Sequence, residues 1–169
     1  MNDTILIIDY GSQYTQLIAR KIRELKVYCL VLPYNQVNLQ NLKKNNLSGI
    51  ILSGGPNSVK DKNSPKLNKQ ILSLRIPILG ICYGLQLLCK EFNGIIGQST
   101  SREYGHSLIK QKNKSLLFKS VKKISQVWMS HGDHIEKVPK EFIVTSISYK
   151  NVISSIENKK KRIYGLQFH

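Results

Sequence analysis

The sequence predicts an α/β fold: a mostly parallel central sheet flanked by helices, with an antiparallel extension. Three observations carry this reading. Unbroken apolar runs alternate with helical periodicity in the first half of the 169 residues. From about Gly94 the pattern changes to short strand-like segments separated by polar turns. One apolar run, Ile76-Pro77-Ile78-Leu79, passes into Gly80-Ile81-Cys82-Tyr83-Gly84 and then a helical stretch, which reads as a buried strand turning sharply into a helix.

The elements follow in order. Ile5–Ile8 is a continuous hydrophobic run, as expected of a parallel strand covered on both faces. After the turn Asp9–Ser12, the apolar residues Tyr14, Leu17, Ile18, Ile22 and Leu25 fall on one helix face, with Lys21, Arg23, Glu24 and Lys26 opposite. Val27–Leu32 is a second strand ended by Pro33, and a weaker helix spans about Leu39–Leu47. Gly49–Ser53 is a third strand running into Gly54-Gly55-Pro56. A further helix is expected from Ser64-Pro65, with Ser as cap and Pro in the first turn. Later strands are expected at His106–Lys110, Gln126–Met129, Phe142–Ser148, Val152–Ile156 and Ile163–Phe168. Repeated β-α-β units imply right-handed crossovers, and function then gathers beyond the carboxyl ends of the strands. The turns Asp9–Ser12, Gly54–Pro56 and Cys82–Gly84 all fall at such ends.

Composition bounds the function. Hydrophobic content of 41% is ordinary for a globular protein, and no run approaches a membrane span. Met1-Asn2-Asp3-Thr4 has no basic leader, and three irregularly spaced cysteines form neither a disulfide framework nor a metal cluster. A reduced, cytoplasmic setting is expected. The net charge of +16 invites a nucleic-acid reading. Against it, the lysines are spread along the whole chain and no basic-aromatic interleaving occurs. Lys43-Lys44 and Lys159–Arg162 read as solvated loops, and nucleic-acid and membrane partners are set aside.

The elbow at Cys82 carries the chemistry. Flanking glycines permit strained backbone, the apex is pushed toward solvent, and the following helix N-terminus favours the thiolate. The geometry is that of a hydrolase nucleophile elbow with Cys in place of Ser; a small buried cysteine is the alternative. Gly54-Gly55 could present backbone N–H groups to an oxyanion or form an ordinary Gly-Pro turn, and the Tyr83 N–H is the natural second donor. Four histidines are candidates for a base. His106 reads as structural. His131 and His134 lie in the polar turn Ser130–His134, which could cap, bind metal or bind substrate, although no further metal ligands lie nearby. His169 follows the strand-like run Tyr164–Phe168 and is the last residue, so its spacing leaves its role open.

Taken together, Gly80–Gln86, Ser53–Pro56 and Gly165–His169 resemble the class I (triad-type) glutamine amidotransferases. Asp9–Arg20, Arg102–Gly105 and Trp128–Asp133 are similar to the GMP synthase branch of that family. The resemblance implies a flavodoxin-like core and a glutamine-hydrolysing activity. Cys82 would attack the side-chain amide of glutamine, with His169 as base and then acid. Gly55 and Tyr83 N–H groups would form the oxyanion hole. Gly54, Gln86 and the main chain of Ser130, His131 and Gly132 would hold the substrate. It implies no cofactor in this chain, since ATP and Mg would belong to an ATP-pyrophosphatase synthetase partner that adenylates xanthosine monophosphate and yields GMP. The family's catalytic His is followed by Pro and an orienting Glu. Here residues 1–169 stop at the His, so an amidotransferase domain truncated there, without its synthetase domain, is expected. A catalytically impaired module that only docks on or regulates a synthetase is the second reading.

Overall fold

The computed structural model describes residues 3–169, the side chains of residues 39, 41, 44 and 99–102 excepted. Met1 and Asn2 of the N-terminal segment Met1–Thr4, and the Arg102 side chain of the Arg102–Gly105 motif, lie outside the described residues. Nine strands form one sheet: β1 (Thr4–Asp9), β2 (Tyr28–Pro33), β3 (Leu47–Leu52), β4 (Ile78–Ile81), β5 (Ile95–Gln111), β6 (Ile124–Lys137), β7 (Ile143–Ser148), β8 (Ile153–Asn158) and β9 (Ile163–Leu166). Their spatial order is β2-β1-β3-β4-β9-β8-β7-β5-β6. The first five run parallel, and every pairing from β9 onward is antiparallel. The expected α/β architecture with an antiparallel extension is therefore observed.

Burial explains the unbroken apolar runs. Alternate residues of β1 enter opposite layers: Leu6 and Ile8 join the main core, while Ile7 packs with Ala19 and Cys29 under helix α1 (Thr15–Glu24). A strand buried on both faces cannot alternate with polar residues. The main core lies beneath α4 (Tyr83–Glu91), whose residues Tyr83–Cys89 are all buried. Close approach allows this. A Cβ at Gly84 would stand 2.4 Å from the Leu52 carbonyl oxygen, and one at Gly80 would stand 2.6 Å from the Gly84 backbone. Neither glycine has positive φ; the strained residue between them is Cys82. The flanking glycines thus serve packing rather than backbone conformation, contrary to the sequence reading.

Four other expectations need correction. No helix starts at Ser64-Pro65: the Ser64 hydroxyl donates to the Asp61 carbonyl, and only the single turn α3 (Gln70–Ser73) forms. The short strands expected at His106–Lys110 and Gln126–Met129 are parts of the long ribbon β5–β6. Ser130–Asp133 is not a turn but the middle of β6, because pairing with β5 holds these polar residues extended. The helix α2 (Leu39–Lys44) is shorter than expected. Among the described residues no helix is long and apolar enough to cross a membrane.

Candidate active site

Four strand ends and one strand middle build the site. β1 ends in Asp9, whose carboxylate accepts from the Gly11 N–H (2.9 Å), the Ser12 N–H (3.3 Å) and the Thr15 hydroxyl (2.7 Å). This network shapes the turn that starts α1. β3 is followed by Ser53-Gly54-Gly55. β4 is followed by Cys82, with φ 51° and ψ −105°. A non-glycine residue there stores about 1–3 kcal/mol of strain, which the surrounding packing must hold. β9 is followed by Gln167, Phe168 and His169.

His169 is held from three directions. Its N–H donates to the Trp128 carbonyl (2.8 Å) and its carbonyl accepts from the Trp128 N–H (3.0 Å), tying it to β6. Its ring stacks on Tyr14, with centroids 4.5 Å apart. Its Cε1 and the Cys82 Cβ would stand 3.3 and 3.6 Å from a Cβ built at Gly54. Gly54 therefore separates thiol from imidazole by no more than one side chain's width. The Ser12 hydroxyl is the third neighbour, at 3.4 Å.

Two clefts meet at Cys82. One, of about 360 Å³, is walled by Gly55, Tyr83, Gln86 and the strand segment Ser130–Asp133. The other, of about 230 Å³, opens between Ser12, Tyr14, Gly54 and His169. Cys82, Gly55 and Ser130 border both. In β5–β6 the pairs Gln98↔Asp133 and Glu103↔His131 bracket four residues of β5 (99–102) but one of β6, Gly132. The register shifts there, and Gly132 lines the larger cleft.

The thiol is buried, only 6% exposed, and burial pushes its pKa up to about 11. The Tyr83 N–H and the Gln167 side chain pull the other way, and the Asp133 carboxylate adds to the rise. This corrects the expectation of a solvent-exposed thiolate: loss of hydration outweighs the helix N-terminus. The thiol donates to the Ser130 carbonyl (3.6 Å) and accepts from the Gln167 amide (3.5 Å). Burial also lowers the His169 pKa, aided by His131. At neutral pH the two groups are therefore a neutral thiol and a neutral imidazole on either side of Gly54.

His131 lies beneath the cleft wall. Its Nδ1 pairs with the Asp133 carbonyl at 3.0 Å, and its Nε2 stands 3.6 Å from the Glu103 carboxylate. Burial lowers its pKa despite Glu103, so this contact is not an ion pair at neutral pH. Gln86 donates to the Asp133 carbonyl (3.1 Å) and to Gln167 (3.3 Å), which leaves its carbonyl oxygen for a ligand. Sequence reasoning gave no individual role to Gln167, Asp133, Ser12 or Tyr14, although Ser12 and Asp133 lay within the flagged segments Asp9–Ser12 and Trp128–Asp133. Their proximity depends on which strands become neighbours, and Gln167, two residues before His169, carried a further local hint. His106 packs edge-on against Trp128 on β6, away from both clefts. Among the described residues, no cluster of His, Cys, Asp and Glu could hold a metal ion.

An open sheet whose carboxyl edge presents a strained cysteine, a half-buried imidazole and a Gly-Gly segment defines an α/β class with a cysteine at a strand–helix elbow. The family model for class-I glutamine amidotransferases matches residues 6–169, and this chain belongs to that family. It is 53% identical to the glutamine-hydrolysing GMP synthase of Borrelia garinii subsp. bavariensis over 166 residues, which make 98% of this chain and 31% of that protein. For the same enzyme of Petrotoga mobilis the values are 47% over 167 residues, 99% and 32%. The crystal structure of a glutamine amidotransferase from Thermotoga maritima superposes with a TM-score of 0.81 at 22% identity, covering 100% of this chain and 76% of that one. That likeness shows the shared fold. The chain spans about a third of the length of the curated relatives it matches.

Proposed function

We infer that this chain is the glutamine-hydrolysing part of a GMP synthase, and that Cys82 and His169 perform the hydrolysis. The observation that carries this is the strained Cys82 elbow with His169 across Gly54 and an open cleft on its other side.

The chemistry follows from the neutral ground state. A glutamine side chain entering the larger cleft brings its amide carbon to the sulfur. His169 takes the thiol proton as the S–C bond forms, and the amide oxygen gains negative charge. The N–H groups of Gly55 and Tyr83 stabilise that oxyanion. The imidazolium returns its proton to the amide nitrogen, the C–N bond breaks, and ammonia leaves a γ-glutamyl thioester. His169 then activates water, glutamate departs and the thiol is restored. Gln86 and the main chain at Ser130, His131 and Gly132 hold the α-amino and α-carboxylate groups. Ammonia passes to a synthetase portion that aminates an activated xanthosine monophosphate. No cofactor is needed for the glutaminase step, and a cytoplasmic setting fits this biosynthetic role.

The test uses the full-length polypeptide. Glutamine hydrolysis should fall by about 10⁴-fold or more in Cys82→Ala. GMP formation should then proceed with added ammonia but not with glutamine. Undiminished hydrolysis in Cys82→Ala would exclude this cysteine as nucleophile.

A further inference from the structure

The direction of the Gly55 N–H is set by the peptide that carries it. In a trans peptide the carbonyl and the N–H point in opposite directions. Fixing the Gly54 carbonyl therefore fixes the Gly55 N–H. The Ser53 hydroxyl stands 2.8 Å from the Gly54 oxygen and donates to it. The same hydroxyl accepts from the Tyr10 N–H at 2.9 Å. Among the described residues its only other acceptor is the Asp9 carboxylate, at 3.5 Å, so its single proton goes to Gly54.

Ser53 is itself immobilised. Its N–H donates to the Ile8 carbonyl (3.0 Å), and its carbonyl accepts from the Gly84 N–H (3.1 Å) in the first turn of α4. The side chain is wholly buried. On the other flank, a Cβ at Gly55 would meet the Tyr10 carbonyl at 2.6 Å, so backbone closes that side too. Gly55 N–H, which borders both clefts, makes no hydrogen bond to any described residue. A donor without a partner, beside a peptide whose other end is pinned, is preorganised for an incoming oxygen.

We propose that Ser53 is a positioning residue whose hydroxyl pins the Gly54 carbonyl and so aims the Gly55 N–H at the oxyanion formed from glutamine. It rests on the glutaminase reading above. Because Ser53 also bonds β1 and α4, it sets this peptide in register with the Cys82 elbow. The hydroxyl acts on the charged intermediate rather than on bound glutamine, so kcat should suffer and KM should not.

The experiment compares full-length wild type with Ser53→Ala. Glutamine hydrolysis should lose about 10²-fold in kcat with KM little changed. Glutamate γ-semialdehyde, which adds to the thiol as a tetrahedral hemithioacetal, should bind more weakly by a similar factor. Alkylation of Cys82 by iodoacetamide, which builds no oxyanion, should keep its wild-type rate. Unchanged kcat and aldehyde affinity would overturn the proposal, as would an alkylation rate that falls in step with them. If Ser53→Ala does not fold, the crystal structure of the wild-type aldehyde adduct decides. A Gly54 oxygen still bonded to Ser53 supports the pin, and a peptide turned over refutes it. A wild type that neither hydrolyses glutamine nor forms the adduct would sink the glutaminase reading instead. The crystal structure of Ser53→Ala would then settle the pin alone: an unaltered 54–55 peptide overturns it, and a turned one supports it.

Discussion

The parallel half of the sheet and its antiparallel half contribute to the site in different ways. In β2-β1-β3-β4-β9 every strand points toward the same edge, so Asp9, Ser53, Cys82 and His169 arrive there through successive strand ends. In β8-β7-β5-β6 directions alternate, and no edge collects carboxyl ends. That half supplies instead the middle of β6, where the Ser130 carbonyl accepts from the thiol beside a shift in the register with β5. Reactive side chains come from one half and a backbone wall from the other. Parallel topology gathers side chains at one edge by direction, while the antiparallel ribbon contributes the flank of a strand.

The largest effect that tests this division is catalytic. His169→Ala should lower glutamine hydrolysis by about 10²–10⁴-fold, as expected for loss of a general base. Ser130→Ala should cost far less, because Ser130 meets the thiol through its carbonyl. Comparable losses in the two variants would erase the distinction between side-chain edge and backbone wall.

Packing gives the next contrast. In the parallel half Gly84→Ala drives a methyl to 2.4 Å from the Leu52 carbonyl. Backbone cannot yield as a side chain can, so urea unfolding should show a loss of about 3 kcal/mol. In the antiparallel half Gly105 has φ 87° and open space around its Cβ position. Gly105→Ala should cost only the left-handed strain, about 1 kcal/mol. Equal losses would mean that α4 is not seated as described.

The thiol's environment sharpens the comparison further. With burial holding Cys82 up to about 11, its alkylation rate in the unliganded protein should rise about tenfold per pH unit through neutral and mildly alkaline pH. A plateau already reached near neutral pH would reveal a thiolate–imidazolium pair and remove the neutral ground state.

The smallest effect is on acid stability. Burial lowers the pKa of His169 and of His131 below the ordinary 6.5. The unfolded chain then binds protons that the folded chain refuses, so stability rises with pH in this window. The contribution of both rings is complete above 6.5 and is lost as pH falls below it. Urea midpoints should therefore be lower at about pH 5.5 than at about pH 7.5. Equal midpoints would place both rings in solvent.

Much of the fold was legible locally. Ile5–Ile8 and Gly49–Leu52 announced buried parallel strands because a strand covered on both faces must be apolar throughout. The Gly80–Gly84 elbow announced itself because few sequences can pass from strand to helix so tightly. Less legible was the stretch Ser130–Asp133, whose composition signals a turn; β5 pairing overrides that preference. The helix expected at Ser64 failed for a related reason, since its hydroxyl found a partner at Asp61 instead of capping.

Composition, periodicity and motif determined on their own the class of fold, the candidate nucleophile and the family. They could do so because each depends on residues adjacent in the chain or on a period of two or nearly four. Only the tertiary structure decided the protonation of Cys82, the seat of His169 against Tyr14 and Trp128, and the pinning of Gly54 by Ser53. Those depend on solvent exclusion and on the directions of groups brought from distant strands. Hydration and orientation are properties of the packed molecule, and no local pattern encodes them.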